Sequence, residues 1–94
     1  MRNAMIISDK DNVAVAVEKI AKGTTAVYEK KGVMKEVLVI DDIPMYHKFA
    51  IEDIAKDENV IKYGEYIGVA GVDIKKGMHV HVHNVLSIRE KVTD

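Results

Sequence analysis

Short runs of apolar residues alternate along this chain with clusters of residues that favour tight turns. The runs are rich in Val and Ile, which favour β-strands, and no stretch has the apolar spacing of a long amphipathic helix. We therefore predict a mostly β fold of short strands with one or two short helical turns at most. The predicted strands lie at residues 4–7, 13–17, 24–28, 37–40, 60–62, 66–70, 78–83 and 85–88.

The size and composition of the chain limit what it can contain. Its 94 residues are expected to form a single domain, 1–94, which buries only about 60–65% of the surface of the unfolded chain. With no Trp and one Phe, the core must be built mainly from aliphatic side chains. The absence of Cys excludes disulfides, thiolate metal sites and cysteine nucleophiles, and it favours a cytoplasmic location.

The charge pattern argues against two classes of partner. Fourteen basic and fifteen acidic residues give a net charge of −1, with no run of one sign. Binding to nucleic acid or to an anionic membrane surface relies on a basic patch, so we expect neither partner. The apolar run at residues 4–7 is too short for the core of a signal peptide, and no segment approaches bilayer length. A soluble protein is expected.

A four-residue motif recurs three times, each time with an acidic residue (Glu18, Asp53 or Asp73) just upstream. The copies are Ile20-Ala21-Lys22-Gly23, Ile54-Ala55-Lys56-Asp57 and Ile74-Lys75-Lys76-Gly77. Their unequal spacing excludes a solenoid. We interpret each copy as a short helical turn over a buried Ile, ended by a residue that tolerates a left-handed conformation and followed by a strand. The role of the motif is then architectural.

Pro44 is the only proline, and it biases Ile43 toward an extended conformation. Residues 45–50 are predicted to turn or to begin one helical turn. His47 and Lys48 would then lie at a bend, where a rigid sheet can present binding residues to solvent or substrate.

Three of the four histidines alternate with valine in the stretch His79-Val80-His81-Val82-His83. On a strand this alternation puts the imidazoles on one face and the valines on the other. We therefore predict that Val80 and Val82 are buried.

The same stretch raises the question of a metal site. Two histidines two positions apart on a strand, such as His81 and His83, can converge on one ion. Zinc or iron would need a third protein ligand, and His79, His47 and Glu65 are available. A strand with a polar edge that faces a partner is the commoner explanation of such a pattern. The metal ligands therefore stay open.

A second candidate segment follows Lys62 and Tyr63, where Gly64 and Gly68 stand four positions apart. Glycine allows a sharp turn and the close approach of the backbone to a ligand, so Lys62 can bind a carboxylate. A hairpin with a solvated lysine is the simpler alternative. The chain has no P-loop, zinc-protease or serine-hydrolase motif.

Several of these segments form a series of motifs in a fixed order. They are Ile43-Pro44 with His47-Lys48-Phe49-Ala50, Ile61-Lys62-Tyr63-Gly64-Glu65, Ile67-Gly68, Asp73-Ile74-Lys75-Lys76-Gly77 and Val80-His81-Val82-His83-Asn84. In this order they resemble the small subunit, or N-terminal domain, of the altronate and galactarate dehydratase family. The small subunit of sulfolactate sulfo-lyase is similar. The resemblance covers nearly the whole chain.

The resemblance implies a SAF-type domain with a β-clip fold of short, bent strands. It also implies a hydro-lyase, since enzymes of this family remove water from C2–C3 of sugar acids with a divalent metal, usually Fe²⁺ or Mn²⁺. In that family the metal-bearing catalytic part lies, by implication, in a large subunit or C-terminal domain. We therefore expect a small subunit that is inactive alone and acts on a sugar acid together with a large dehydratase subunit.

The resemblance further marks a set of candidate site residues, and it implies that His47 shares an accessible face with at least one of His81 and His83. The catalytic candidates are His47, His81 and His83, and the substrate-binding candidates are Lys48, Lys62, Tyr63 and Asn84. Lysine suits carboxylate binding, histidine can relay a proton, and an amide can bond a sugar hydroxyl.

The sequence departs from the family pattern at two places. Met45 and Tyr46 stand where the family has an aromatic residue and then Gly, so the bend at His47 is expected to be less tight or differently shaped. His79 stands where a large apolar residue is common, which makes it the weakest site candidate.

Two other functions remain open at this point. The chain can be a stand-alone module that binds a carbohydrate or sugar acid, or acts as a lid on another active site. It can also be a structural adaptor whose histidine face mediates homo-oligomerisation. Altronate, galactarate and sulfolactate present the same carboxylate and hydroxyl pattern, so these residues do not distinguish the substrate.

Overall fold

Short antiparallel strands joined by tight turns make up the computed structural model, which describes residues 2–87. The strands are β1 (Ala4–Met5), β2 (Val13–Ala16), β3 (Thr25–Lys30), β4 (Val33–Leu38), β5 (Lys48–Ala50), β6 (Asn59–Lys62), β7 (Glu65–Ala70), β8 (His79–Val80) and β9 (Val85–Leu86). The predicted mostly β fold is confirmed. Ile88, the predicted end of the last strand, lies outside the described residues. Within residues 2–87 there is no helical segment with the length and apolarity needed to cross a membrane.

The strands form three small antiparallel sheets, ordered β1-β2-β5-β8, β3-β4 and β6-β7-β9. The four-stranded sheet lies between two apolar clusters, and alternate residues of its strands contribute to each. Ala14 and Phe49, which are opposite each other, pack in one cluster, whereas Val13 and Ala50 pack in the other. β2 and β5 are therefore the centre of the domain, since side chains on both of their faces are buried.

The recurring motif is a β-turn rather than the helical turn predicted from the sequence, and a fourth copy occurs at residues 43–46. In every copy the last residue has a positive φ: 86° for Gly23, 68° for Tyr46, 75° for Asp57 and 91° for Gly77. Its N–H donates to a strand-end carbonyl, as Tyr46 does to Ala16 at 2.7 Å. The bend before His47 thus matches the other three turns, although Tyr stands where Gly is expected.

The four turns associate in two pairs through bridges between buried isoleucines, Ile20 with Ile43 and Ile54 with Ile74. Carboxylates from one turn cap the backbone of its partner: Asp53 accepts the N–H of Lys76 at 2.8 Å, and Asp73 accepts that of Lys56 at 2.9 Å. In the other pair Asp42 accepts the N–H of Lys22 at 2.8 Å. The carboxylate that caps this turn therefore belongs to Asp42, and not to Glu18, the acidic residue upstream of the motif. Asp42, Asp53 and Asp73 are thus part of the turn architecture.

The prediction for residues 45–50 was wrong in one respect, because the turn ends at His47 and residues 48–50 form β5. This strand pairs with β2 on one side and β8 on the other. Phe49 and Ala50 are fully buried, so their backbone groups need partners away from water, and the two neighbouring strands supply them. A turn or helix there would leave the centre of the sheet open.

Candidate functional site

The pairing of β5 with β8 brings the two histidine segments together. Lys48 lies opposite Val80 and Phe49 opposite His79. Continuing this register by one residue sets His47 opposite His81, and directly opposed residues share a face of the sheet. The ring centres of His47 and His81 are 4.7 Å apart, and both side chains are half-buried. The prediction of a shared accessible face is confirmed for His47 and His81.

His79, the weakest candidate from the sequence, lies in contact with all three other histidines. The Nδ1 atom of His47 is 2.9 Å from the Nε2 atom of His79, a hydrogen bond in which one nitrogen carries the proton and the other accepts it. The ring centre of His79 is 5.1 Å from that of His47, 5.5 Å from that of His81 and 5.4 Å from that of His83. These four side chains are called the histidine cluster below.

The predicted burial of the valines is confirmed for Val80, which is fully buried, and is wrong for Val82, which is 82% exposed. β8 ends at Val80, and the chain turns over residues 81–84. Asn84 closes this turn: its Oδ1 accepts the N–H of His81 at 2.9 Å, and its Nδ2 donates to the carbonyl of His79 at 2.8 Å. Because the strand stops, the alternation no longer controls where Val82 points.

Asn84 is therefore not placed where a substrate-binding residue was expected. Its side chain is buried and both polar atoms bond to the backbone of β8 and the following turn. Asp41 supports the same strand, since its Oδ2 accepts the N–H of His79 at 3.0 Å. Asn84 and Asp41 together hold the backbone that carries His79 and His81.

An open groove of about 410 Å³ adjoins the histidine cluster. Three of the predicted site residues, Lys48, Lys62 and His81, line it. The rest of its described lining is Ile67, Val82, Val85 and Ser87. Two cationic side chains and an imidazole thus lie beside an apolar surface, an arrangement that suits a small organic anion.

Lys62 is held at the end of a hairpin between β6 and β7. Tyr63 and Gly64 have φ values of 57° and 77°, as the two central residues of a type I′ turn require. The Nζ atom of Lys62 lies 4.8 Å from the centre of the Tyr63 ring, within cation–π range. The hairpin proposed for this segment is confirmed, and the Tyr63 ring contacts the lysine head group.

A buried carboxylate that the sequence analysis missed anchors this hairpin. Asp11 is 2% exposed; it accepts the N–H of Gly64 at 2.7 Å, that of Ile7 at 3.0 Å and that of Ser8 at 3.1 Å. Burial raises the pKa of Asp11, but these hydrogen bonds and one from Tyr63 outweigh it and hold the pKa below its usual range. Its sequence signal was the Asp-Asn pair in a turn cluster, since short polar side chains bond to nearby backbone.

The groups at the site lower one another's affinity for protons. Burial lowers the pKa of Lys48, and the charge of Lys62 lowers it further. Burial and the other three imidazoles lower the pKa of His79 against the opposing charge of Asp41. Desolvation lowers the pKa of His81, as do neighbouring imidazoles and Lys48. The neutral imidazole, which can accept a proton or bind a metal ion, is therefore favoured at His79 and His81 at neutral pH.

The structure also identifies which histidines could hold a metal. One ring nitrogen from each of His47, His79 and His81 lies within 4.8 Å of the other two, the one such group found among residues 2–87. This set differs from the pair His81 and His83 suggested by the sequence. Imidazole nitrogens suit Fe²⁺, whereas Mn²⁺ prefers carboxylate oxygens, so the residues fit the first of the two ions that the resemblance implies.

Comparison with known proteins places the chain in a family. Residues 2–88 match the family model of the altronate/galactarate dehydratase SAF domain. Altronate dehydratase of Escherichia coli (strain K12) is 49% identical over 74 residues, and that of Bacillus subtilis (strain 168) is 40% identical over 84 residues. Subunit alpha of (2R)-sulfolactate sulfo-lyase from Chromohalobacter salexigens is 55% identical over 51 residues.

The matched segments cover 79% and 89% of this chain but only 14% and 16% of the two altronate dehydratases. With the sulfo-lyase subunit the match covers 54% of this chain and 54% of the relative. Since the family model covers nearly all of the residues described, from β1 through the turn closed by Asn84, the chain belongs to the altronate/galactarate dehydratase SAF domain family.

Proposed function

We propose that this chain is the SAF subunit, or a detached SAF domain, of a hydro-lyase that dehydrates a sugar acid together with a larger catalytic subunit. The observation that carries the proposal is the groove in which Lys48 and Lys62 lie beside His81. A sugar acid presents a carboxylate next to a chain of hydroxyls, and the two ammonium groups match the charge of that end of the molecule.

The reaction requires a base for the C2 proton, a group that stabilises the resulting enediolate and an acid for the C3 hydroxyl. Lys48 and Lys62 bind the carboxylate and stabilise the charge that develops on it. A base accepts the C2 proton, and the electron pair of that C–H bond becomes the C2–C3 double bond. The C3–O bond breaks as the oxygen takes up a proton and leaves as water, and the enol product becomes a 2-keto acid.

A divalent ion would act as a Lewis acid that polarises the carboxylate and hydroxyl oxygens. The groove is open on one side, because a domain of this size is too small to enclose a substrate by itself. A partner can cover that side. We propose the large dehydratase subunit as that partner. The name of the sulfo-lyase relatives, subunit alpha, supports a multi-subunit enzyme.

A second candidate substrate class is a sulfonated hydroxy acid. Two lysines line one groove, and such a substrate carries two anionic groups, a carboxylate and a sulfonate. The sulfo-lyase similarity supports this class. The elimination has the same first step, with sulfite rather than water as the group that leaves.

The test is reconstitution with a large dehydratase subunit, followed by an assay for 2-keto acid formation from altronate, galactarate and sulfolactate. We expect turnover of one of them by the complex and none by the chain alone. Lys48→Ala and Lys62→Ala should each raise KM by about tenfold or more, because each removes a charge that binds the carboxylate.

Lys35→Ala is the matched control, because Lys35 is an exposed lysine on β4 and does not line the groove. Its kinetics should equal those of the original protein. Turnover by the isolated chain would contradict the subunit proposal. An unchanged KM in both groove variants would contradict the assignment of the groove as the substrate site.

A further inference from the structure

We propose that His47, His79 and His81 form a binding site for one divalent transition-metal ion, and that this chain binds the ion without a partner. The sequence analysis expected the metal in the large subunit. The inference rests on the positions of three side chains and not on the proposed dehydratase activity.

The distances between the three ring centres are close to those expected for imidazoles around one bound ion. A metal–nitrogen bond of about 2.0–2.1 Å puts the centre of a bound imidazole about 3.2 Å from the ion, so rings around a tetrahedral ion have centres about 5.2 Å apart. The observed separations are 4.7 Å for His47 and His81, 5.1 Å for His47 and His79, and 5.5 Å for His79 and His81. These separations allow the three rings to surround one ion once the side chains rotate so that one nitrogen of each faces it.

The ring nitrogens are also close to ligand positions. The distance of 2.9 Å between His47 Nδ1 and His79 Nε2 is somewhat shorter than the distance of about 3.3 Å between two nitrogens bound to a tetrahedral ion with these bond lengths. All three nitrogens lie within 4.8 Å of one another. Metal binding replaces the hydrogen bond between His47 and His79. The ring that donated this bond then carries its proton on its other nitrogen, so that the nitrogen facing the ion is unprotonated.

The backbone that carries these ligands is fixed before any ion binds. Asn84 bonds to the backbone of both His79 and His81, and the carboxylate of Asp41 accepts the N–H of His79. His47 follows a turn closed by its own N–H bond to the carbonyl of Pro44 at 3.0 Å. Pre-ordered ligands lose little conformational entropy on binding, which favours affinity.

The ligand chemistry selects the class of ion. Three imidazole ligands without a coordinating carboxylate suit Zn²⁺, Fe²⁺, Co²⁺ or Ni²⁺, and they are a poor match for Mg²⁺ or Ca²⁺, which prefer oxygen. Three protein ligands leave at least one position for water or a substrate oxygen. His81 also lines the groove with Lys48 and Lys62, so that position lies beside the proposed anion site.

The test is titration of the untagged 94-residue chain with Zn²⁺ by calorimetry and with Co²⁺ by visible absorption. We expect one ion per chain, a dissociation constant in the micromolar range or below, and no competition from excess Mg²⁺. His47→Ala, His79→Ala and His81→Ala should each weaken binding by about tenfold or more, because two imidazoles remain.

His83→Ala is the matched control, since it removes an exposed imidazole from the same cluster that is not one of the three ligands. Its affinity should stay within about threefold of the original. Circular dichroism and melting without metal show whether each variant is folded, and His79→Gln replaces His79→Ala if that variant unfolds. No binding, or an equal loss in His83→Ala, would overturn the proposed ligand set.

Discussion

The Nδ1 atom of His47 lies 2.9 Å from the Nε2 atom of His79, although 32 positions separate them in the chain. The contact exists because β5 and β8 are neighbours in one sheet and their register sets Phe49 opposite His79. It joins the segment after Pro44 to the valine-histidine segment, and thereby forms one site from two motifs.

Tyr46→Gly is expected to stabilise the protein. Tyr46 has a φ of 68° and is 73% exposed, so its side chain has little packing to lose. A left-handed conformation costs a non-glycine residue about 1–2 kcal/mol, which the greater freedom of glycine in the unfolded state partly offsets. The free energy of unfolding from urea denaturation should rise by up to about 1 kcal/mol.

Gly23→Ala provides the reverse change at the equivalent place in another turn. Gly23 has a φ of 86°, and an added Cβ would meet no atom within 4 Å. Only backbone strain is introduced there, and we expect a loss of about 1 kcal/mol. A destabilised Tyr46→Gly would show that the tyrosine side chain stabilises this turn by contacts that outweigh the strain.

Most of the short strands, the Tyr63-Gly64 hairpin and the buried Val80 could be predicted from the sequence, because they depend on local composition and turn chemistry. β4 was misplaced, since it spans Val33–Leu38 and the prediction was 37–40. β5 could not be predicted, since its burial depends on flanking strands far away in the chain. The exposure of Val82 could not be predicted from the sequence either, because the strand ends before it at a turn that the buried side chain of Asn84 closes. The position of His79 in the cluster depended on strand register, which one sequence does not specify.

Asp11→Asn is expected to make stability less dependent on pH at the acid end. The folded-state pKa of Asp11 lies below its unfolded value, so its contribution is fully present above about pH 4 and is lost as the pH falls through the folded value. The amide removes a charged acceptor of three backbone N–H bonds. At pH 7 we expect a loss of about 1–3 kcal/mol in the free energy of unfolding.

Denaturant unfolding of both proteins between pH 7 and pH 2 measures this effect. The difference between the original protein and the variant should shrink as the pH falls below about 4, because the carboxyl of the original is protonated first in the unfolded state and then, at lower pH, in the folded state. Asp9→Asn, at an exposed neighbour, should change stability by less than about 0.5 kcal/mol at any pH. A constant difference for Asp11→Asn across this range would contradict the assignment.

Gly68→Ala is expected to separate β7 from β9. A Cβ at this position would lie 2.4 Å from the carbonyl oxygen of Leu86 and 2.7 Å from Cγ1 of Val85, and the first of these is backbone. The strands must move apart, at a cost of about 1–3 kcal/mol. Val85 lines the groove, so the KM of the reconstituted enzyme should rise as well.

Gly71→Ala is the matched control, because the nearest atom to its added Cβ is Cγ of the Leu86 side chain at 3.3 Å. A side chain can shift by a few tenths of an ångström more easily than a paired backbone can. Its loss of stability should therefore be clearly smaller than that of Gly68→Ala. Equal losses would show that the close approach of β9 to β7 is not what requires glycine at position 68.

Asn84→Ala tests whether one buried amide sets the geometry of the histidine cluster. The change removes the hydrogen bonds of Asn84 to the carbonyl of His79 and the N–H of His81. Both backbone groups lose this partner, at an expected cost of about 2–3 kcal/mol in the free energy of unfolding. The turn over residues 81–84 should loosen while the rest of the sheet stays paired. Unfolding by urea measures the loss, and imidazole NMR shifts report the geometry of the cluster.

Asn84 is a positioning residue, so its effect must appear at imidazoles that it does not itself contact. In Asn84→Ala the ring resonances of His47 should shift, because its partners His79 and His81 move, and Zn²⁺ affinity should fall by about tenfold. Val82→Ala changes an 82% exposed side chain in the same turn and should leave the resonances and the affinity unchanged. If Asn84→Ala lowered stability but left the His47 resonances and the Zn²⁺ affinity intact, the amide would support the fold without setting the site, because the cluster would then be held by β5–β8 pairing alone.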